Sequence, residues 1–311
     1  MKNSSMFTPP QPLKTAVLFL IFNRLDITRQ VFEAIKLAKP PRLYVAADGS
    51  RESKRGEDEK TKEVRDYVMC NIDWDCEVKT LFREKNLGCK FAVSGAIDWF
   101  FENEEMGIIL EDDCLPSQSF FWFCEELLEM YKNDESVYLV SGDNRIPNSL
   151  FGKEDYTFIK YSAIWGWASW ARVWKDYDVN MISWNDRKND IVDSVSSNES
   201  VKNYWNNTFQ KTADGQIDTW DYQLAYLLLS NNAKCIVPKK NMISNIGFGA
   251  NATHTTITNS ISANHKRHEL NFPLKHPERT EINNKLNRLY EKYILINKSL
   301  IQRIFQKIKW R

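Results

Sequence analysis

The chain has 311 residues, 42% of them apolar, and a formal net charge of +1. That length and apolar content allow one large α/β domain with a sizeable core, and the near-neutral balance carries no footprint of a nucleic-acid binder. Six cysteines at 70, 76, 89, 114, 124 and 235 form no paired CxxC, so a zinc site is not expected and a reducing compartment is.

In chain order, residues 1–14 are polar and Pro-rich and read as a flexible start. Residues 15–22 are apolar and β-branched, which predicts a buried strand, too short for a signal segment or membrane span. Asp26 is expected to cap a helix carrying Val31, Ala34, Ile35 and Ala38 on one face, ended by Pro40-Pro41. Residues 43–47 form a second strand stopped by Asp48-Gly49-Ser50, and a charged loop then leads into a helix. A third strand covers 77–82. Asn86-Leu87-Gly88 then opens a helix with Phe91, Ala92, Ala96, Ile97, Phe100 and Phe101 at helical spacing. The run Met106 to Leu110 is a fourth strand ending in Glu111-Asp112-Asp113. Pro116 and Ser117 are expected to open the next helix, and 137–140 is a fifth strand. The second half is less regular: Trp165-Gly166-Trp167, a polar helical stretch over 187–212, a helix over 220–229, a short strand over 235–238 and a Gly/Asn/Thr loop over 247–256. Alternating β and α elements imply a mainly parallel, doubly wound sheet.

Glu111-Asp112-Asp113 is the most telling group. Three carboxylates at the end of a buried strand are costly to desolvate unless a cation meets them. The carboxyl ends of strands are also where open α/β sheets bind ligands. A hard divalent cation would neutralise the group and could grip a diphosphate. A surface turn is the plainer alternative.

Taken together, Phe22-Asn23-Arg24, Asp48-Gly49-Ser50, Asn86-Leu87-Gly88-Cys89-Lys90, the acidic triplet, Ser141-Gly142-Asp143-Asn144, Trp165-Gly166-Trp167, Trp220-Asp221-Tyr222 and His254 follow an order that resembles the GT-A glycosyltransferases. The nearest likeness is to bacterial proteins related to the inverting N-acetylglucosaminyltransferase I family. It runs from about residue 15 to 256. The resemblance implies a GT-A catalytic domain over 15–280 and transfer from a nucleotide-sugar, UDP-linked, to a cell-surface glycan or lipid-linked precursor. Asp113 becomes the ligand of Mn²⁺ or Mg²⁺, with His254 as a further candidate. Arg24, Asp48, Lys90, Glu111 and Asp112 become donor-binding residues. Asp143, Asn144, Trp165 and Trp167 would meet the acceptor. The family's base lies in a Trp-Asp-Asp-Trp segment, and here one aspartate is replaced by Tyr222. The base therefore falls on Asp221, with Asp218 as second choice.

Two other functions compete. A nucleotide-sugar pyrophosphorylase would share the sheet but needs a Gly-rich, basic loop where this chain has Asn23-Arg24-Leu25-Asp26. An inactive carbohydrate-binding or membrane-active protein is kept open by the altered base motif. The C-terminal segment 281–311 reads as a basic amphipathic helix. Within it, Leu300, Ile301, Ile304, Phe305 and Ile308 share a face, beside Arg303, Lys307, Lys309 and Arg311. This pattern suits an anionic membrane surface, so a cytoplasmic protein peripheral to the membrane is expected.

Overall fold

The apolar run Ala16–Ile21 is buried at every position and forms the central strand β1. A computed structural model describes residues 7–247 and 265–292. Helix α1 (Leu25–Ala38) follows β1 and leads to β2 (Arg42–Ala47). Next come α2 (Glu57–Cys70), β3 (Glu77–Phe82), α3 (Gly88–Phe101) and β4 (Met106–Glu111). The strands stand in the order β3-β2-β1-β4, all parallel. Strand order therefore reverses at β1: the chain first builds outward to β2 and β3, then returns to place β4 on the other side. Right-handed crossovers put α3 on the opposite face from α1 and α2. β3 is half-exposed along its length because it is the edge strand.

The chain continues through a short strand β5 (Cys114–Pro116), α4 (Ser119–Met130), β6 (Val137–Ser141), β7 (Tyr156–Ile159) and β8 (Trp167–Trp170). Helices α5 (Ala171–Trp174), α6 (Trp184–Val195), α7 (Glu199–Ala213) and α8 (Asp221–Ser230) follow. Strands β9 (Lys234–Pro238) and β10 (Ile243–Asn245) and helix α9 (Asn284–Tyr290) complete the described elements. The large sheet has eight strands in the order β3-β2-β1-β4-β8-β6-β9-β7. β8 runs antiparallel between β4 and β6, and β7 is antiparallel at the far edge. The α/β class expected from the alternating pattern is present, but the sheet is mixed. Gly166 makes the difference at its centre. It has φ +60°, and a Cβ there would lie 2.5 Å from Ile243 Cδ1, so only glycine turns the chain into β8 at this point.

Two further local expectations change. Asp26 does not cap α1. It lies in the first turn, and Arg24 holds the cap position without a side-chain bond to the helix. The helix expected to open at Pro116-Ser117 begins at Ser119, because Pro116 pairs with Ile243 in a small two-stranded sheet. The Glu269 carboxylate then accepts from the Gln118 and Ser119 N–H groups at 3.0 and 2.7 Å, so a distant residue caps α4.

One apolar core spans the sheet, α1, α3 and α4. A second gathers Trp184, Ile191, Trp205, Phe209 and Tyr226 from α6, α7 and α8. Leu286 and Tyr290 of α9 join this second core, so the start of segment 281–311 is docked on the protein. The amphipathic stretch 294–311 and His254 lie outside the described residues. Among the described residues no helix is long and apolar enough to cross a membrane.

Candidate active site

A cleft of about 720 Å³ opens at the carboxyl ends of β1, β2 and β4. It sits where strand order reverses, the position at which open α/β sheets present crevices. Arg24 follows β1, and Asp112 and Asp113 follow β4. The Arg24 guanidinium reaches across the crevice to Asp112 at 2.5 Å and Asp113 at 3.0 Å. These side chains are 16%, 8% and 18% exposed respectively, so the ion pairs are largely desolvated. Thr28 of α1 approaches Asp112 at 3.5 Å.

The remaining charge is not balanced. Burial, then the neighbouring Asp113, Asp112 and Asp221 charges, push Glu111 well above the ordinary carboxylate range, and Arg24 only partly opposes this. Burial likewise raises Asp112 to about 6, against the pull of Arg24. Cys89 in the first turn of α3 is pushed to about 12 by burial, then by Glu111, Asp221, Asp218 and Asp48. The thiol thus reports four carboxylates drawn from three separate segments. Asp218, Thr219 and Asp221 enter the cleft from the loop before α8. The Thr219 hydroxyl donates a hydrogen bond to Asp221.

The opposite wall is braced by another buried carboxylate. Glu57, 5% exposed, accepts from the Asn23 side chain at 2.8 Å and from the Arg51 backbone N–H at 2.7 Å. It also pairs with the Arg51 guanidinium, and Arg51 lies 5.5 Å from the Phe22 ring. One side chain therefore ties the loop after β1 to the loop after β2.

The sequence-derived candidates divide. Arg24, Asp48, Glu111, Asp112, Asp113, Trp165, Asp218 and Asp221 all line the cleft. Asp48, expected to bind the donor, also gives its carboxylate to the N–H groups of Leu87 and Gly88 at 3.0–3.1 Å. It caps α3 and fixes the cleft floor. Lys90 does not line the cleft; its ammonium lies 5.1 Å from the Phe91 ring. Trp167 is 1% exposed and stacks on Trp220 at 5.8 Å, so it belongs to the core and not to a sugar wall. Asn144 is buried and consumed by bonds to Ile146 and Lys239. Asp143 is buried against Arg145 at 2.8 Å. Neither faces the cleft as an acceptor contact.

Several lining residues were not singled out from sequence: Arg51, Arg83, Asn245 and Gly247. Arg83 ends the β3 region, and the strand-end rule itself could have found it. Asn245 approaches Asp113 at 3.3 Å, and a Cβ on Gly247 would lie 2.2 Å from Asp113 Oδ2. No sequence spacing announces that long-range approach.

Oxygen donors from Glu111, Asp112 and Asp113 suit a hard divalent cation, and their excess negative charge favours one. Among the described residues, however, no three His, Cys, Asp or Glu side chains converge as a ready metal site, and Arg24 engages Asp112 and Asp113. Carboxylate oxygen is the donor type that Mn²⁺ or Mg²⁺ takes, so Asp113 is chemically able to ligate one.

No family model matches the sequence, and no curated protein matches it. Among solved structures, similarity is found to the mannosyltransferase PcManGT from Pyrobaculum calidifontis in complex with GDP-Man and Mn²⁺. It covers 72% of each chain, at 10% identity and TM-score 0.39. S. aureus TarS 1-349 is similar over 70% of each chain, at 11% identity and TM-score 0.38. A UDP-glucose pyrophosphorylase complexed with UDP-glucose is similar over 75% of this chain and 93% of its own, at 12% identity and TM-score 0.38. These likenesses are loose, and the functional argument rests on the cleft.

Proposed function

We propose that the chain is an inverting glycosyltransferase that takes a nucleotide-sugar donor, UDP-linked, in the β1/β4 cleft. The observation that carries this reading is the convergence of Arg24, Glu111, Asp112, Asp113, Asp218 and Asp221 in one cleft at the strand-order reversal. Arg24 stands where a diphosphate enters and offers it a cation. Asp113 would hold a divalent ion, with Glu111 and Asp112 beside it. When bound, that ion supplies neutralisation of the charge that develops on the departing diphosphate.

Asp221 acts as base. It takes the proton of the acceptor hydroxyl as the new acceptor oxygen–carbon bond forms at the anomeric centre and the bond to the diphosphate oxygen breaks. Thr219 orients its carboxylate, and Asp218 is the alternative base. Trp165 forms a wall on the acceptor side. The acceptor is a cell-surface glycan or lipid-linked precursor, and the tail 294–311 holds the enzyme at the inner membrane face.

Calorimetric titration of UDP-sugars with and without Mn²⁺ tests the reading. Asp113→Asn should leave the fold intact and abolish the Mn²⁺-dependent gain in affinity, because a neutral amide is a poorer ligand than a carboxylate. Unchanged UDP-sugar affinity in that variant with Mn²⁺ present would remove Asp113 from the metal site. No UDP-, GDP- or CMP-sugar binding by the wild type would remove the donor assignment.

A further inference from the structure

The loop after β6 is built to hold one arginine. Its backbone is fixed by Asn144, whose N–H donates to Asn241 at 3.0 Å and whose side chain bonds Lys239 at 2.8 Å. Asp143, with a fully buried side chain, directs Oδ2 to Arg145 Nε at 2.8 Å. Its Oδ1 has no hydrogen-bond partner among the described residues. Arg145 is therefore the hydrogen-bonded counter-charge of this carboxylate, with the His265 ring nearby in the field of both. The guanidinium lies 4.2 Å from the centre of the Trp165 ring, and Trp165 walls the donor cleft.

Neutralising Asp143 needs one positive charge, which a lysine would supply. It does not need a planar fork stacked on an aromatic ring. Among the described residues, Arg145 spends only its Nε–H, and its side chain is 26% exposed. Two terminal nitrogens remain, oriented by Asp143 below and Trp165 beside them. A planar, pre-oriented pair of N–H₂ groups matches a carboxylate or phosphate oxygen pair.

We infer that Arg145, aimed by Asp143 and stacked on Trp165, recognises an oxyanion on the acceptor, a sugar carboxylate or a phosphate, beside the donor cleft. The inference rests on the glycosyl-transfer reading for the word acceptor, while the anion site stands on its own residues.

Calorimetric titration with D-glucuronate, glucose 6-phosphate and glucose tests it, with UDP titrated separately to report the donor cleft. The wild type should bind both anionic sugars roughly 10- to 100-fold more tightly than glucose, the scale of a charge-assisted bidentate contact. Arg145→Gln should erase that preference and leave UDP affinity unchanged. Because Arg145→Gln strands Asp143, the double variant Asp143→Asn/Arg145→Gln removes both charges and should also lose the preference. Arg145→Lys keeps the charge on Asp143 and should lose more glucuronate than phosphate affinity.

Equal binding of glucuronate and glucose by the wild type overturns the inference. So does a preference that survives in Arg145→Gln and the double variant. If only glucose 6-phosphate binds, and Arg24→Gln rather than Arg145→Gln abolishes it, the anion occupies the diphosphate position and Arg145 has no such role. Arg145-dependent glucuronate binding without any nucleotide binding would keep this site and sink the transferase reading instead.

Discussion

Replacing Glu57 by glutamine tests how the cleft is held open. The carboxylate receives Asn23 Nδ2 and three donors of Arg51, its backbone N–H, Nε and Nη2. A glutamine of the same shape offers one oxygen, so its amide N–H₂ must face at least one of these donors. Hydrogen bonds to a charged acceptor contribute about 1.5–3 kcal/mol each. Arg51 is 39% exposed, and solvent there screens its share. We therefore expect a loss of about 2–4 kcal/mol rather than the full sum, a fall in Tm on the order of 3–6 °C for a chain of this length. The Arg51 hydrogen bonds hold the Glu57 pKa below its ordinary value, with burial opposing them. A depressed carboxylate contributes stability that is full above its unfolded value, about 4.3, and is lost as pH falls through the folded value. Urea unfolding of wild type and Glu57→Gln at pH 7, 5 and 3.5 should show equal gaps at the first two and a smaller gap at the third. UDP-sugar affinity should also drop, because Asn23 and Arg51 lose their common anchor. Equal stability at pH 7, or a gap that widens toward pH 3.5, would refute the reasoning.

Gly166→Ala should destabilise the protein by about 2–4 kcal/mol, from a positive φ and a Cβ forced onto Ile243; chemical denaturation with an unchanged midpoint would contradict it. Asp221→Asn should cut transfer about 10²-fold with UDP-sugar affinity nearly unchanged, and Asp218→Asn should matter much less. Steady-state kinetics showing the reverse order would assign the base to Asp218, and no effect from either would end the base-assisted mechanism. Deleting residues 294–311 should release the protein from anionic vesicles in a sedimentation assay while transfer to a soluble acceptor persists. A truncated protein that unfolds would make the tail part of the core.

The first half of the fold was legible because each strand there is a continuous apolar run and each connection a short helix, so period and punctuation agree. The acidic triplet was legible for the opposite reason: three charges against a buried strand conflict locally, and such conflicts mark sites. β8 was hidden because Trp167-Ala168-Ser169-Trp170 has no periodic neighbour and its antiparallel direction is set by one glycine's φ. Asp48 lines the cleft as expected, but its second role was not legible, because only the approach of Leu87 and Gly88 shows that its carboxylate also caps α3. Trp165 and Trp167 share a motif yet separate into cleft and core: residues two apart share a face in a strand, but Gly166 at φ +60° breaks the extended backbone between them and β8 begins only at Trp167. Asn245 and Gly247 reach Asp113 through β10–β5 pairing, which is a property of the fold and not of the sequence nearby.

The placement of β8 also sets a hazard during synthesis. In the folded sheet β4 pairs with β1 on one side and with residues 167–170 on the other, so that second edge stays unfilled until those later residues are available. Until then the run Met106-Gly107-Ile108-Ile109-Leu110 presents an open apolar edge, the kind that recruits another chain. At about 5–20 residues per second the wait lasts several seconds on the ribosome. β6 cannot relieve it, because its own place in the sheet is reached through β8. Nascent chains stalled between Asp113 and Gly166 should therefore be the aggregation-prone species of this protein, and chains carried past Trp170 should not.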